Sequence, residues 1–226
     1  AAVGIGVVER RAAIVGVGAA TIRGGATITR GAAVDVGAER DLELAGRGGQ
    51  HEEREQGAAH GGARDHGASP PEERGFRDEA FAWTTERLDP LTRSYLVDLP
   101  FQLLIEDSGR RIVIVHATPV DAATPLWEGR DDDFFREMGE AADADILICG
   151  HTHRPYHRVV DGRHFINAGS VGQPRDENNR ASFAIMDTDT KIVSIRRVEY
   201  DIDAAANKIR AAGLPEILAA RLYQGK

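Results

Sequence analysis

Gly150-His151-Thr152-His153 follows directly on the apolar run Ile146-Leu147-Ile148-Cys149, and this junction decides how the chain is read. Four apolar residues without polar alternation read as a strand covered on both faces, the pattern of an internal sheet. Open α/β sheets place their ligands at the carboxyl ends of their strands, which is where these two imidazoles stand. Upstream, Ile112-Val113-Ile114-Val115 has the same character and also ends in a histidine, His116. Neutral imidazole is the commonest protein ligand for a transition metal. Three histidines leaving one sheet edge therefore point to a bound cation, although any one of them alone reads more readily as a hydrogen-bonded structural residue.

After the histidine pair, Asp161-Gly162-Arg163 turns the chain into His164-Phe165-Ile166 and then into the loop Asn167-Ala168-Gly169-Ser170-Val171-Gly172-Gln173-Pro174-Arg175-Asp176. Two glycines and a proline this close together mark backbone that other residues resist. Val115-His116-Ala117-Thr118-Pro119, the Gly-His-Thr-His run and this loop, in this order and spacing, resemble the C-terminal half of calcineurin-like metallophosphoesterases, in particular the small bacterial phosphodiesterase branch. The likeness continues through Arg180-Ala181-Ser182-Phe183, Arg197-Val198-Glu199-Tyr200-Asp201 and Ala212-Gly213-Leu214-Pro215-Glu216, covering residues 76 to 226.

The resemblance implies an α/β fold: part of a metallophosphoesterase β-sandwich flanked by helices over 76–226, preceded by an atypical segment over 1–75. It implies two divalent ions, manganese, iron or zinc, bridged by a carboxylate and a water. On the family pattern His116 and His151 bind one ion and His153 the other. Two such metals about 3.5–4 Å apart acidify a bridging water and clamp both oxygens of an in-line phosphoryl displacement. Metal-bound hydroxide is then the nucleophile, and Arg175 is a candidate contact to substrate phosphate through its planar fork. The bland alternative pairs Arg175 with a neighbouring carboxylate. Thr152 is expected to let an extended backbone turn both histidine rings toward the metals.

The carboxylates depart from the family. Its remaining ligands belong to an Asp-x-His, a Gly-Asp and a Gly-Asn-His-Asp in the N-terminal half. Before Phe76 no aspartate has a histidine two places on, no Gly-Asp pair occurs, and there is no asparagine before Asn167. Gly62-Ala63-Arg64-Asp65-His66 comes nearest and lacks the ligand asparagine. No catalytic acid is therefore assigned, and at most one ion is expected to bind.

Residues 1–75 contain no aromatic residue and no lysine, so large side chains that offset chain entropy are scarce. Leu44 to Gly75 reads as disordered. Ile22, Ile28 and Val34, with Ala26, Ala32 and Ala38 in step, fit a turn of a β-solenoid instead. A third account is an out-of-frame translation or an unrelated leader on a truncated gene. The absence of a starting methionine fits a fragment or a processed start.

At 226 residues and a formal charge of −8, the chain can form one sizeable core. The acidic balance argues against a general nucleic-acid surface, and no apolar run is long enough to span a membrane. The single cysteine, Cys149, suits a reducing cytoplasm, and its apolar setting makes it a small buried hydrophobe rather than a nucleophile.

Asp78 to Leu88 has helical spacing, and Pro90 opens a short second helix. Phe101–Ile105 and the Ile112 strand form a hairpin through Asp107-Ser108-Gly109, and Ser182–Met186 with Ile192–Ile195 form another. Asp131-Asp132-Asp133 caps a helix rather than gathering a metal. Asp203 is expected to cap a helix reaching Gly213, and Pro215 opens a last one. His157 and His164 are expected to pack on the strands or lie at the surface, and Asn167 to lock the glycine loop through its amide.

Two functions stay open. The first is a metal-dependent phosphoesterase acting on phosphomonoesters or phosphodiesters, small molecules or nucleotides. The second is a non-catalytic binding or structural protein of the same fold, favoured for this chain by its missing carboxylates.

Overall fold

The computed structural model describes residues 75–226 and, before them, the backbone of residues 71–74 and of three short strands, β1 (Gly6–Val8), β2 (Ala12–Val15) and β3 (Ala20–Arg23). Of the solenoid positions only Ile22 falls within a described element. The disordered reading of 44–75 lies outside the described residues up to 70. From Pro71 the chain is helical instead: α1 runs Pro71–Arg87, so the segment boundary drawn at residue 76 falls inside a helix.

Helix α2 (Pro90–Val97) begins where proline was expected to open it, with Asp89 as its cap accepting from Leu91 N and Thr92 N. Strands β4 (Gln102–Asp107) and β5 (Arg110–Val115) form the expected hairpin. Helix α3 (Asp132–Ala142) follows, with Asp131 Oδ1 accepting from Phe134 N at 2.8 Å. The other two aspartates of the run pair with arginines, Asp132 with Arg158 and Asp133 with Arg136, so the capping reading holds over a metal cluster. Strands β6 (Ile146–Cys149), β7 (Tyr156–Val160) and β8 (Arg163–Asn167) complete a sheet ordered β4-β5-β6-β8-β7, in which β5, β6 and β8 are parallel. β7 returns antiparallel to β8 through Asp161-Gly162, where both residues have positive φ (49° and 77°), as a tight hairpin turn demands.

A second five-stranded sheet holds β9 (Ala181–Asp187) and β10 (Val193–Val198), the predicted second hairpin, with β3 parallel to β9 and β2 and β1 beyond it. Two helices close the chain. In α4 (Ile202–Ala211) the cap is Asp201, whose side chain accepts from Ala204 N, and Asp203 lies one residue inside the first turn. The expected cap is thus displaced by two residues, because Asp201 alone has the non-helical backbone a cap requires. α5 (Glu216–Gln224) starts after Pro215, as expected. α4 and α5 pack through Ala206, Ala219 and Leu222. No described helix is long and apolar enough to cross a membrane.

The uninterrupted apolar runs now have a cause. Successive side chains on a strand point to opposite faces, and both faces of β5 and β6 are covered. Ile112, Ile114, Ile146, Ile148 and Ile166 face the second sheet and meet Ala184 and Met186. Val113, Val115, Leu147, Cys149 and Phe165 face α3 and meet Phe135 and Met138. Each such side chain, fully buried, stabilises the fold by roughly 1.5–3 kcal/mol, which is what makes the ends of these strands a firm shelf.

Cys149 belongs to that core. Its sulfur lies 3.5 Å from the Tyr156 hydroxyl, and burial pushes the thiol up to about 11. The reactive species is the thiolate, so the native protein is expected to leave a thiol reagent such as Ellman's unreacted at pH 8 and to react fully once unfolded. Fast stoichiometric labelling of folded protein would contradict the buried placement.

Candidate metal centre at the carboxyl ends of the parallel strands

The loops after β5, β6 and β8 start on one edge of the sheet. His116 follows Val115 of β5, and its carbonyl accepts from Gly150 N at 2.9 Å, tying the ends of β5 and β6 together. The next three residues do not run extended, as had been expected of Thr152. Thr152 N instead donates back to Gly150 O at 2.6 Å, and His151 and His153 both adopt positive φ (60° and 58°). Non-glycine residues rarely take this conformation, which concentrates at functional sites. Here the surroundings over-determine it, with Thr152 buried as the pivot.

Asn167, fully buried at the end of β8, holds the pivot. Its Nδ2 donates to Gly150 O at 2.6 Å and to Thr152 Oγ1 at 3.0 Å, while its Oδ1 accepts from Gly169 N at 2.9 Å. The expected lock on the glycine loop is there, and the same amide also fixes the histidine turn. Gly169 must be glycine: its φ is +78°, and a Cβ would fall 2.8 Å from the Ser182 side chain.

The three histidines meet unequally. His116 Nε2 and His151 Nδ1 are 2.9 Å apart, with the rings edge-on. His153 Nδ1 lies 2.7 Å from Gln173 O, and Arg175 N donates to His153 O at 3.2 Å. A carbonyl only accepts, so His153 Nδ1 carries the proton and Nε2 keeps the lone pair. Burial, followed by the Arg175 guanidinium and the other two histidines, lowers the His153 pKa to about 4. At neutral pH the ring is therefore an uncharged donor.

Arg175 Nη2 donates to Gln173 Oε1 at 3.0 Å, while Asp176, the carboxylate beside it, is paired with Arg197. His157 and His164 bond to each other, Nε2 to Nδ1 at 3.0 Å across the β7–β8 ladder, which is the strand-packing role expected of them.

Asp121 went unnoticed in the sequence. Burial works to raise its carboxyl, but hydrogen bonds from Thr124 and Ala123 and the nearby His151 outweigh it and hold the pKa below the ordinary range. Its oxygens accept from Ala123 N, Thr124 N and Thr124 Oγ1, so it shapes the loop after His116. Asp121-x-x-Thr124 was the available signal. The Gln173 carbonyl had none, since any residue presents one.

Two donors on adjacent corners of an ion, each about 2.1 Å from it, stand about 3.0 Å apart in an octahedron and about 3.4 Å apart in a tetrahedron. The His116–His151 nitrogens match the octahedral edge, and the protein supplies His153 with the carbonyl partner that metal-binding imidazoles normally have. Among the described residues, however, no group of three or more His, Cys, Asp or Glu side chains is placed to hold a metal ion. The donor set fits one imidazole edge of a site.

Residues 88–191 match the calcineurin-like phosphoesterase superfamily domain. This segment is a calcineurin-like phosphoesterase domain. The chain is 33% identical over 164 residues to an uncharacterized protein of Methanocaldococcus jannaschii, covering 65% of each. It is 29% identical over 85 residues to a probable metallophosphoesterase of Methanothermobacter thermautotrophicus, covering 38% of this chain and 45% of that one. The chain thus spans less than two thirds of the length of the curated relatives it matches. Among solved structures it is similar to a metallophosphoesterase from Sphaerobacter thermophilus, with a TM-score of 0.56 and 34% identity over 65% of this chain and 67% of that one. A hypothetical protein from Pyrococcus horikoshii matches with a TM-score of 0.59 and 25% identity, over 65% and 59%. The mixed α/β architecture, with sheets flanked by helices, is the fold of this family.

Proposed function

We propose that this chain is the C-terminal part of a metal-dependent phosphoesterase for small phosphate esters or nucleotides, and that as it stands it is impaired. The observation that carries the reading is the pair of imidazole nitrogens 2.9 Å apart at the carboxyl ends of β5 and β6. His116 and His151 would hold one divalent ion, of manganese, iron or zinc, and His153 would donate through Nε2 to a second. Bound there, such ions supply an acidified water and neutralise charge on the phosphoryl oxygens. The chain's own residues orient the donors: Asn167 sets the histidine turn, Gln173 sets the His153 ring, and Arg175 stands beside it as the candidate phosphate contact.

The impairment follows from charge. Imidazoles are neutral donors, and two dications held close together need carboxylates to offset their repulsion. The motifs that would bring them are absent from the sequence. The same absence supports the second reading, a non-catalytic binding protein of this fold. The lone buried cysteine supports a reducing cytoplasm as its compartment.

Titration with Mn(II) and Zn(II), followed by metal analysis, is expected to show at most one weakly held ion, lost in His151→Ala. Hydrolysis of bis-p-nitrophenyl phosphate is expected to be slow or undetectable. Robust manganese-dependent turnover abolished by His151→Ala would refute the impairment, and metal uptake undiminished in His151→Ala would refute the site.

A further inference from the structure

We infer that the C-terminal turn of α5 is a positioning brace for His153, acting through the loop over residues 173–180; its consequence for metal binding rests on the reading of His153 as a donor. One end of that loop grips His153 twice, through the Nδ1–H donated to Gln173 O at 2.7 Å and through Arg175 N donating to His153 O at 3.2 Å. The other end is seated on α5. Glu177 N donates to Gly225 O at 2.9 Å, and Asn179 Nδ2 donates to Tyr223 O at 3.2 Å. Between the two ends, Arg197 of β10 pairs with Asp176 and donates to Arg180 O at 3.3 Å.

Gly225 is the tightest point of this strut. It ends α5 in the left-handed conformation, with φ of 65° and its N–H on Arg221 O. A Cβ there would lie 2.7 Å from both the N and C atoms of Asn178. Backbone cannot rotate aside as a side chain can, so a larger residue at 225 must displace the loop. The loop, hydrogen-bonded to His153 at one end and to Gly225 at the other, is the route by which that displacement reaches His153. The hydrogen bond on Nδ1 fixes both the tautomer and the orientation of a metal-binding imidazole, and such partners are worth roughly 10–100-fold in affinity.

The test compares Gly225→Ala with Gly213→Ala in the full chain. Gly213 is also left-handed (φ +71°) at a helix end, but its Cβ position is open, so it carries the same conformational penalty without the contact. Imidazole NMR on metal-free protein reads the His153 tautomer and its Nδ1–H exchange, and titration with Mn(II) reads affinity. Gly225→Ala is expected to speed that exchange about tenfold, with Gly213→Ala close to wild type; Mn(II) affinity falls in step only for an ion that His153 helps to hold. Asn179→Ala, which removes the second clasp without a steric clash, is expected to move the same signals less and serves if Gly225→Ala does not fold. The brace is overturned if both loop variants leave the His153 signals unmoved, or if Gly213→Ala moves them equally. Should wild-type protein take up no Mn(II), the metal reading falls, and the exchange comparison still decides the brace.

Discussion

Asn167→Leu is expected to lower the unfolding free energy by on the order of 4 kcal/mol, read from the urea midpoint. The substitution is close in volume, so little of the loss comes from packing. It comes from three hydrogen bonds lost together: Gly169 N is left without its acceptor, Gly150 O keeps only Thr152 N, and Thr152 Oγ1 keeps only Arg154 N. A buried group stranded without a hydrogen bond costs about 1–3 kcal/mol, and each further bond lost about 0.5–1.5 kcal/mol. Asn167→Asp separates the two halves of the role. It keeps the acceptor for Gly169 N, but sets a carboxylate against the Gly150 carbonyl where a donor had been. The aspartate variant is therefore expected to lose the geometry of the histidine turn while retaining the glycine loop. A loss below about 1 kcal/mol in the leucine variant would mean that water replaces the amide and that Asn167 is not the anchor.

Phe165→Ala is expected to cost about 3–5 kcal/mol, the range for removing a large aromatic side chain from a packed core. Phe165 is fully buried on the helix-facing side of the sheet, edge-on to Phe135 with ring centroids 4.9 Å apart. Gly139 of α3 sits over it so closely that a Cβ there would approach Phe165 Cζ to 3.1 Å. The helix is therefore already as near as its backbone permits, and the vacated volume cannot be filled by simple collapse. Thermal or urea unfolding checks the value. A cost under about 1.5 kcal/mol would show that α3 moves freely on the sheet.

Much of this molecule was legible in its residues. Unbroken apolar runs announced two strands covered on both sides, Asp-Gly and Ser-Gly marked hairpin turns, and Asp131 and Pro90 marked helix starts, because each signal depends on side-chain type within a few neighbours. What escaped depends on backbone and on partners far along the chain. Nothing in Gly-His-Thr-His reveals that both histidines turn left-handed, since that conformation is imposed by the Asn167 amide arriving from another strand. The Gln173 carbonyl under His153 is equally silent. Asp201 and Asp203 are both good caps by type, and only the local dihedral angles choose between them. α1 begins earlier than its aromatic residues suggested because a stretch such as Glu-Glu-Arg helps a helix without displaying an apolar face.

The parallel alignment of β5 with β6 has a kinetic side. Ile112 is paired with Ile146 and Leu147 with Phe165, so each ladder waits for an intervening stretch of chain to be wound and folded back. Closing such loops costs entropy before any pairing rewards it, which slows folding. His116 and His151 stand beyond those ladders. In the nascent or denatured chain they are strangers, brought within reach of each other only at the last stage of assembly. Refolding monitored at the two imidazoles should therefore lag behind the appearance of helix.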